Sequence, residues 1–331
     1  MKKKLLLVSI LAICLAGCGK KSTPANETSS QNVKQENTEI TVETVEAAAE
    51  TVDNSDKRII CWGDSMTEGT GGDVYTFPIS LEEVSGAEVI NYGVFGETTK
   101  CIAAREGANP QSTTSEFTIP ADCTPVEVTV SSSDGEWMEL IDFGDAGINP
   151  CTLGGIKGKW YRDDDLGRVF VRETPGEEVV LPSDSPLVTF AMEDKRSDDI
   201  WILWTGNNEQ PETEDAVRDT ISWQRKMLED AGVTEYIVVS LTSKHMLNEI
   251  DLINDMFKEE YGEHYFDLRS YVLSDMLNDA GITPTEEDIN DISEGNVPSS
   301  LRSDEVHGND EFYRLTGVKI YEKLKELGYL M

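Results

Sequence analysis

Histidine is scarce in this chain: three residues in 331, at His245, His264 and His307. A general base working near neutral pH must come from that short set, because imidazole is the one side chain whose ordinary pKa falls there. Basic residues are also few, 28 against 63 acidic ones, giving a formal net charge of -35. Such a surface repels phosphate backbones and no basic stripe offsets it, so nucleic acid is excluded as a partner. The six cysteines include no Cys-x-x-Cys pair and no cluster with histidine at zinc spacing. Asp163-Asp164-Asp165 lacks the alternating ligand spacing of a calcium loop and reads as a solvated turn. No metal and no organic cofactor is therefore expected. Long apolar runs are missing too, apart from one near the N-terminus that is too short for a stable spanning helix.

What is present at the N-terminus has a recognisable order. Met1-Lys2-Lys3-Lys4 precedes an almost wholly apolar stretch from Leu5 to Ala16, and then comes Gly17-Cys18-Gly19-Lys20. A basic start, a short apolar stretch and small residues before a cleavage point predict a secretory signal over 1–17. Leu15-Ala16-Gly17-Cys18 resembles a bacterial lipobox, which implies cleavage before Cys18 and a lipid on its thiol. The expected location is the bacterial cell membrane, lipid-anchored on the extracytoplasmic side. Residues 18–56, rich in Thr, Glu, Asn, Ser, Gln and Lys, read as a disordered tether. Cys61, Cys101, Cys123 and Cys151 then remain, and four cysteines allow three full pairings. Cys123 and Cys151 share a region and are the first pair to consider, whereas Cys61 reads as a buried thiol.

Beyond the tether, short apolar strands alternate with helical periodicity. "RIICWG" and "AEVINYGVFG" read as strands, with helices over "TFPISLEEVSG" and "ETTKCIAAREG". From 111 to 197 the texture changes to short strands separated by Gly, Asp and Pro turns, including "VEVTV", "WMELIDF", "RVFVRE", "EVVL" and "PLVTFAM". "DDIWILWTG" resumes the earlier pattern, followed by a helix over "ETEDAVRDTISWQRKMLEDAG", a strand in "EYIVVSLTS", a helix in "LNEIDLINDMFKEEYG", a strand in "YFDLRSYV" and a closing helix in "DEFYRLTGVKIYEKLKELG". Alternation of this kind predicts a parallel sheet covered on both faces, over 57–110 and 198–331, with 111–197 as an inserted β-rich domain.

In such sheets ligands gather beyond the carboxyl ends of strands. Ser65 follows the first strand, Gly93 and Gly96 the second, and Asn207-Asn208 the third; Asp304 and His307 lie in "LRSDEVHGND" before the closing helix. A serine hydroxyl is a poor nucleophile until a base takes its proton, and His307 is available as that base. Asp304, three residues earlier, can reach its Nδ1 and fix the tautomer. The backbone N–H groups of Ser65 and Gly96 and the side-chain amide of Asn208 can donate to an oxyanion. Each residue also has an ordinary reading: Ser65 suits a helix N-cap, the glycines serve backbone geometry, and Asp304–His307 is a plausible surface pair. His245 and His264 read as surface and structural residues, Trp201 and Trp204 as core. Trp137 and Trp160 are the aromatic residues of the β-rich region considered for carbohydrate contact.

Taken in order, these segments resemble the SGNH (GDSL-type) hydrolase family. Gly63-Asp64-Ser65 with Thr67 and Gly69 matches the first block, and Asn91-Tyr92-Gly93-Val94-Phe95-Gly96 with Thr98 the second. Gly206-Asn207-Asn208 matches the third and Asp304-Glu305-Val306-His307 the last. Glu209 stands where an Asp is commoner. The resemblance implies a flavodoxin-like three-layer α/β/α sandwich, here with the inserted all-β domain, and ester hydrolysis through an acyl-enzyme. It assigns catalysis to Ser65, Asp304 and His307, and the oxyanion hole to Ser65, Gly96 and Asn208. The expected substrate is a carboxylic ester, with an acetylated polysaccharide or cell-wall glycan favoured by location and architecture. Lipase, lysophospholipase or thioesterase action and a non-catalytic glycan-binding lipoprotein are the alternatives.

Overall fold

The longest wholly buried runs in the chain form the centre of a parallel sheet. In the computed structural model, which describes residues 53–331, "RIICWG" is strand β1 (Arg58–Gly63) and every residue in it is buried. β2 is Glu88–Gly93, β3 Ile200–Trp204, β4 Glu235–Val239 and β5 Tyr265–Phe266. All pair in parallel in the order β2-β1-β3-β4-β5, the flavodoxin-like order with its reversal between β1 and β3. Apolar side chains point both ways from β1 and β3, so both faces of the sheet need cover. Helix α2 (Phe77–Ser85) packs with the closing helix Asp310–Glu326 on one side. Helix α3 (Thr99–Glu106), Glu214–Ala231 and Ile250–Tyr261 pack in sequence as the other group. The result is the three-layer α/β/α sandwich. Trp201 and Trp204 are core residues, Trp204 lying between Phe77 and Phe312.

After α3 the chain leaves the parallel sheet and builds a second, seven-stranded antiparallel sheet, returning at β3. In spatial order its strands are Val126–Glu127, Gly167–Arg172, Ile156–Asp163, Cys151–Leu153, Pro186–Val188, Gln111–Thr113 and Val130–Ser132. Phe117–Ile119 and Val179–Leu181 pair separately. Cys101 and Ala104 of α3 belong to the apolar cluster of this sheet, so the antiparallel region packs directly on the sandwich, and residues 53–331 lie within one compact unit. The buried Arg58 guanidinium clamps the return, donating to Asp199 at 2.7 Å and to Asp194 at 2.6 Å.

Several local expectations are corrected. "WMELIDF" forms no strand; Met138, Leu140 and Ile141 are plugged into the second core from a turn-rich segment. "YFDLRSYV" is a two-residue strand, because Asp267 then accepts from the Ser270 amide and caps a helix over Leu268–Ser274. "PLVTFAM" ends as a strand at Val188, where Thr189 caps a short helix. The longest antiparallel strand, "IKGKWYRD", was not anticipated, nor was helix Glu286–Glu294. Cys61, Cys101, Cys123 and Cys151 are all free thiols. The signal at 1–17, Cys18 and most of the tether lie outside the described residues. Asn54, counted within that tether, is buried and bonded to Ser85 and Met331. No helix among the described residues is long and apolar enough to cross a membrane.

Candidate active site

The turn after β1 makes room for a reactive side chain through glycine. Helix α1 (Ser65–Glu68) starts immediately beyond Gly63-Asp64, and its cap is Asp64, not Ser65. Asp64 Oδ1 accepts from the Met66 amide at 3.0 Å and Oδ2 from Asn207 Nδ2 at 2.9 Å. Burial pushes this carboxyl up to about 7, the two hydrogen bonds opposing that rise. Ser65 is thereby left with a free hydroxyl at the first position of the helix. Gly93 at the end of β2 lets α1 approach: a Cβ there would stand 2.0 Å from the Glu68 amide nitrogen.

Ser65 Oγ lies 3.0 Å from His307 Nε2, and His307 Nδ1 lies 2.8 Å from Asp304 Oδ2. Residues 242 positions apart thus form one hydrogen-bonded chain. With the Nδ1 proton on the carboxylate side, Nε2 presents its lone pair to the serine O–H. Asp304 Oδ1 accepts from the Val306 and His307 amides, both at 2.7 Å. Partial burial alone would raise its pKa, but these bonds and the imidazole hold the carboxyl below the usual carboxylate range. Asp304 therefore stays ionised opposite the imidazole.

The loop carrying the pair is closed on itself and anchored from outside. Ser303 N donates to His307 O at 2.9 Å, and Arg302 bridges to Gly308. Helix Glu286–Glu294 supplies the anchor: Asp291 accepts from Arg302, and Asp288 from both the amide and the hydroxyl of Ser300. Sequence reasoning missed this support, since the residues this short helix buries are Asp288 and Asp291 and not apolar ones. The signal was Thr285 and Asp288, which form a capping box.

Gly96 adopts φ +74°, a left-handed conformation suited to glycine, and neither its amide nor that of Ser65 has an acceptor among the described residues. Asn208 Nδ2 donates to Glu97 O at 2.9 Å, tying the turn after β3 to the residue after Gly96 and leaving one amide hydrogen uncommitted. Beneath this loop, Glu97 and Arg105 form a fully buried pair, Oε2 to Nε at 2.7 Å, and Arg105 also donates to Tyr92 O and Ala146 O. This pair too was not anticipated from sequence. Glu209 accepts from the Thr99 amide at the start of α3; burial raises its pKa. Its carboxylate thus seats the start of α3.

Of the other candidates, His264 stacks 4.3 Å from Tyr236 and bonds its carbonyl, a structural placement, and His245 is exposed. Trp160 is buried, which removes it from any contact with carbohydrate; Trp137 is half exposed, with Arg168 over one face. Asp163 caps the hairpin turn, accepting from Asp165 and Leu166 amides.

No family model and no curated protein matches the sequence. Among solved structures, the chain is similar to a G-D-S-L family protein from Desulfitobacterium hafniense DCB-2, at 15% identity and TM-score 0.40 over 81% of this chain and 99% of that one. It is also similar to a member of the lipolytic protein G-D-S-L family from Veillonella parvula DSM 2008, at 14% identity and TM-score 0.37 over 80% and 97% of the two chains.

Proposed function

We propose that this protein is a serine esterase that hydrolyses carboxylic esters through an acyl-enzyme. The observation that carries this reading is the continuous hydrogen-bonded chain from Ser65 through His307 to Asp304 at the carboxyl edge of the parallel sheet. Ser65 Oγ attacks the ester carbonyl carbon while its proton passes to His307 Nε2, and Asp304 stabilises the imidazolium that forms. The tetrahedral oxyanion is held by the amides of Ser65 and Gly96 and by the free hydrogen of the Asn208 amide. The bond to the alcohol oxygen breaks as His307 returns the proton to it. A water molecule, deprotonated by the same imidazole, then releases the acid and restores Ser65.

Residues 1–18 support placement as a lipoprotein on the extracytoplasmic side of a bacterial membrane. Within that setting the substrate we favour is an acetylated glycan. A cavity of about 320 Å³ opens beside Asp304, and the residues around it, Glu287, Ser299, Arg302, Ser303 and Glu305, include no apolar side chain. A small acyl group suits such a polar setting better than a long chain, which needs an apolar channel to cover it. An ester panel scored for released acid tests this. Release of acetate from acetylated oligosaccharide, exceeding release from medium-chain esters and lost in Ser65→Ala, is the expected result. Preference for the medium-chain esters overturns the glycan assignment.

A further inference from the structure

Two aromatic side chains beside the candidate site remain without cover in the folded protein. Phe95 and Phe143 are 42% and 49% exposed and meet edge to face with ring centroids 5.9 Å apart. Phe95 also lies 6.2 Å from the His307 ring, and a methyl group at Gly96 would stand 3.5 Å from the Phe143 ring. The pair therefore spans the space from the oxyanion glycine to the base. Its members come from different parts of the molecule, Phe95 from the loop after β2 and Phe143 from the antiparallel region.

The segment bearing Phe143 is fixed on both sides. Arg105 donates to Ala146 O at 2.6 Å, and the Ala191 amide donates to Gly147 O at 2.8 Å. Asp142, just before Phe143, accepts from Arg162 at 2.8 Å and from Arg168. Ile141 is buried with φ +62°, a left-handed backbone that a β-branched residue adopts only under constraint. A constrained backbone thus carries a large apolar ring to the edge of the site, where folding alone would favour covering it.

In the reaction proposed above, His307 hands its proton to the departing alcohol, so that part of the substrate sits within reach of Nε2 and beside Phe95. We propose that Phe95 and Phe143 form a stacking platform for the alcohol part of the substrate, and that this alcohol is a neutral sugar ring. A pyranose turns an array of weakly positive C–H groups outward from its ring face, complementary to the negative face of an aromatic ring, while its hydroxyls stay in water. Glu68, Asp304 and Glu305, on the segments framing Ser65 and His307, disfavour an anionic alcohol such as a phospholipid headgroup. This assignment rests on the esterase reading and adds the residues that select the substrate.

The test measures kcat/KM of the wild-type protein, Phe95→Leu, Phe143→Leu and Phe143→Trp on an acetylated disaccharide and on ethyl acetate, which has no ring. Leucine keeps apolar bulk and removes the aromatic face. The expected result is a roughly tenfold fall in the sugar-to-ethyl-acetate ratio for each leucine variant, carried by KM, with Phe143→Trp retaining the wild-type ratio. An unchanged ratio in the leucine variants overturns the proposal. Wild-type protein that cleaves ethyl acetate through Ser65 but does not favour the sugar ester sinks the platform and spares the esterase. Absence of Ser65-dependent hydrolysis of either ester removes both.

Discussion

Asp64 occupies the cap position that Ser65 could have taken, and this frees the serine hydroxyl for His307. The cost is a carboxylate buried beneath the candidate nucleophile, with its pKa pushed from 3.8 up to about 7. A folded-state pKa above the unfolded value means the folded protein binds the extra proton. Its contribution to stability is present below about pH 4 and is lost as pH rises through about 7. Denaturant titrations of wild-type protein and Asp64→Asn across that interval should show a shallower decline in the variant, which cannot ionise; parallel profiles would contradict the assignment. At Asn208, one amide hydrogen is spent on Glu97 and the other has no acceptor among the described residues. Asn208→Ala is expected to lower kcat by about 10²–10³-fold with a small change in KM, the pattern of a donor used only in the transition state. Steady-state kinetics on one ester decides this.

Two elements hold the loops in place, and each does so through buried charge. Arg105 in α3 neutralises Glu97 and ties the loop of Gly96 to β2 and to Ala146. Arg105→Met leaves the Glu97 carboxylate in the interior without its partner, and chemical denaturation should show a loss of about 3–5 kcal/mol. A loss below about 1 kcal/mol would mean the pair is not needed for folding. The strands β1 and β3 were legible because Ile59-Ile60-Cys61-Trp62 and Ile200–Trp204 are unbroken apolar runs, and the turns that follow the strands were legible because glycine, serine and asparagine crowd there. The rest was hidden for physical reasons. Met138, Leu140 and Ile141 belong to a short apolar run that reads as a strand while serving as plugs for the second core. Helix Glu286–Glu294 is held by side-chain hydrogen bonds to Ser299 and Ser300 more than by an apolar stripe. Glu97 and Arg105 stand eight residues apart in sequence, across a loop-to-helix junction that no periodicity reveals.

At the scale of the whole molecule, Ser65 stands at the carboxyl edge of the parallel sheet, and the turn-rich segment bearing Phe143 reaches Phe95 and Gly96 from the antiparallel region packed on α3. Sequence alone placed Ser65, Asp304 and His307 at strand ends and a loop. Their meeting across 242 residues depends on the strand order, which is a property of the fold and is read from the sequence only through its alternation of strands and helices. The lipid anchor proposed at Cys18 belongs to this scale as well: Cys18→Ser should move the protein from the membrane fraction to the soluble extracytoplasmic fraction, and retention at the membrane would count against the lipobox reading. Catalysis through an acyl-enzyme requires a reactive Ser65 hydroxyl. Treating the folded protein with a serine-directed fluorophosphonate and locating the adduct by mass spectrometry tests it most directly. One adduct is expected, on Ser65, absent from Ser65→Ala and greatly slowed in His307→Ala; a folded protein that takes no label, or takes it elsewhere, would rule out a serine nucleophile at this site.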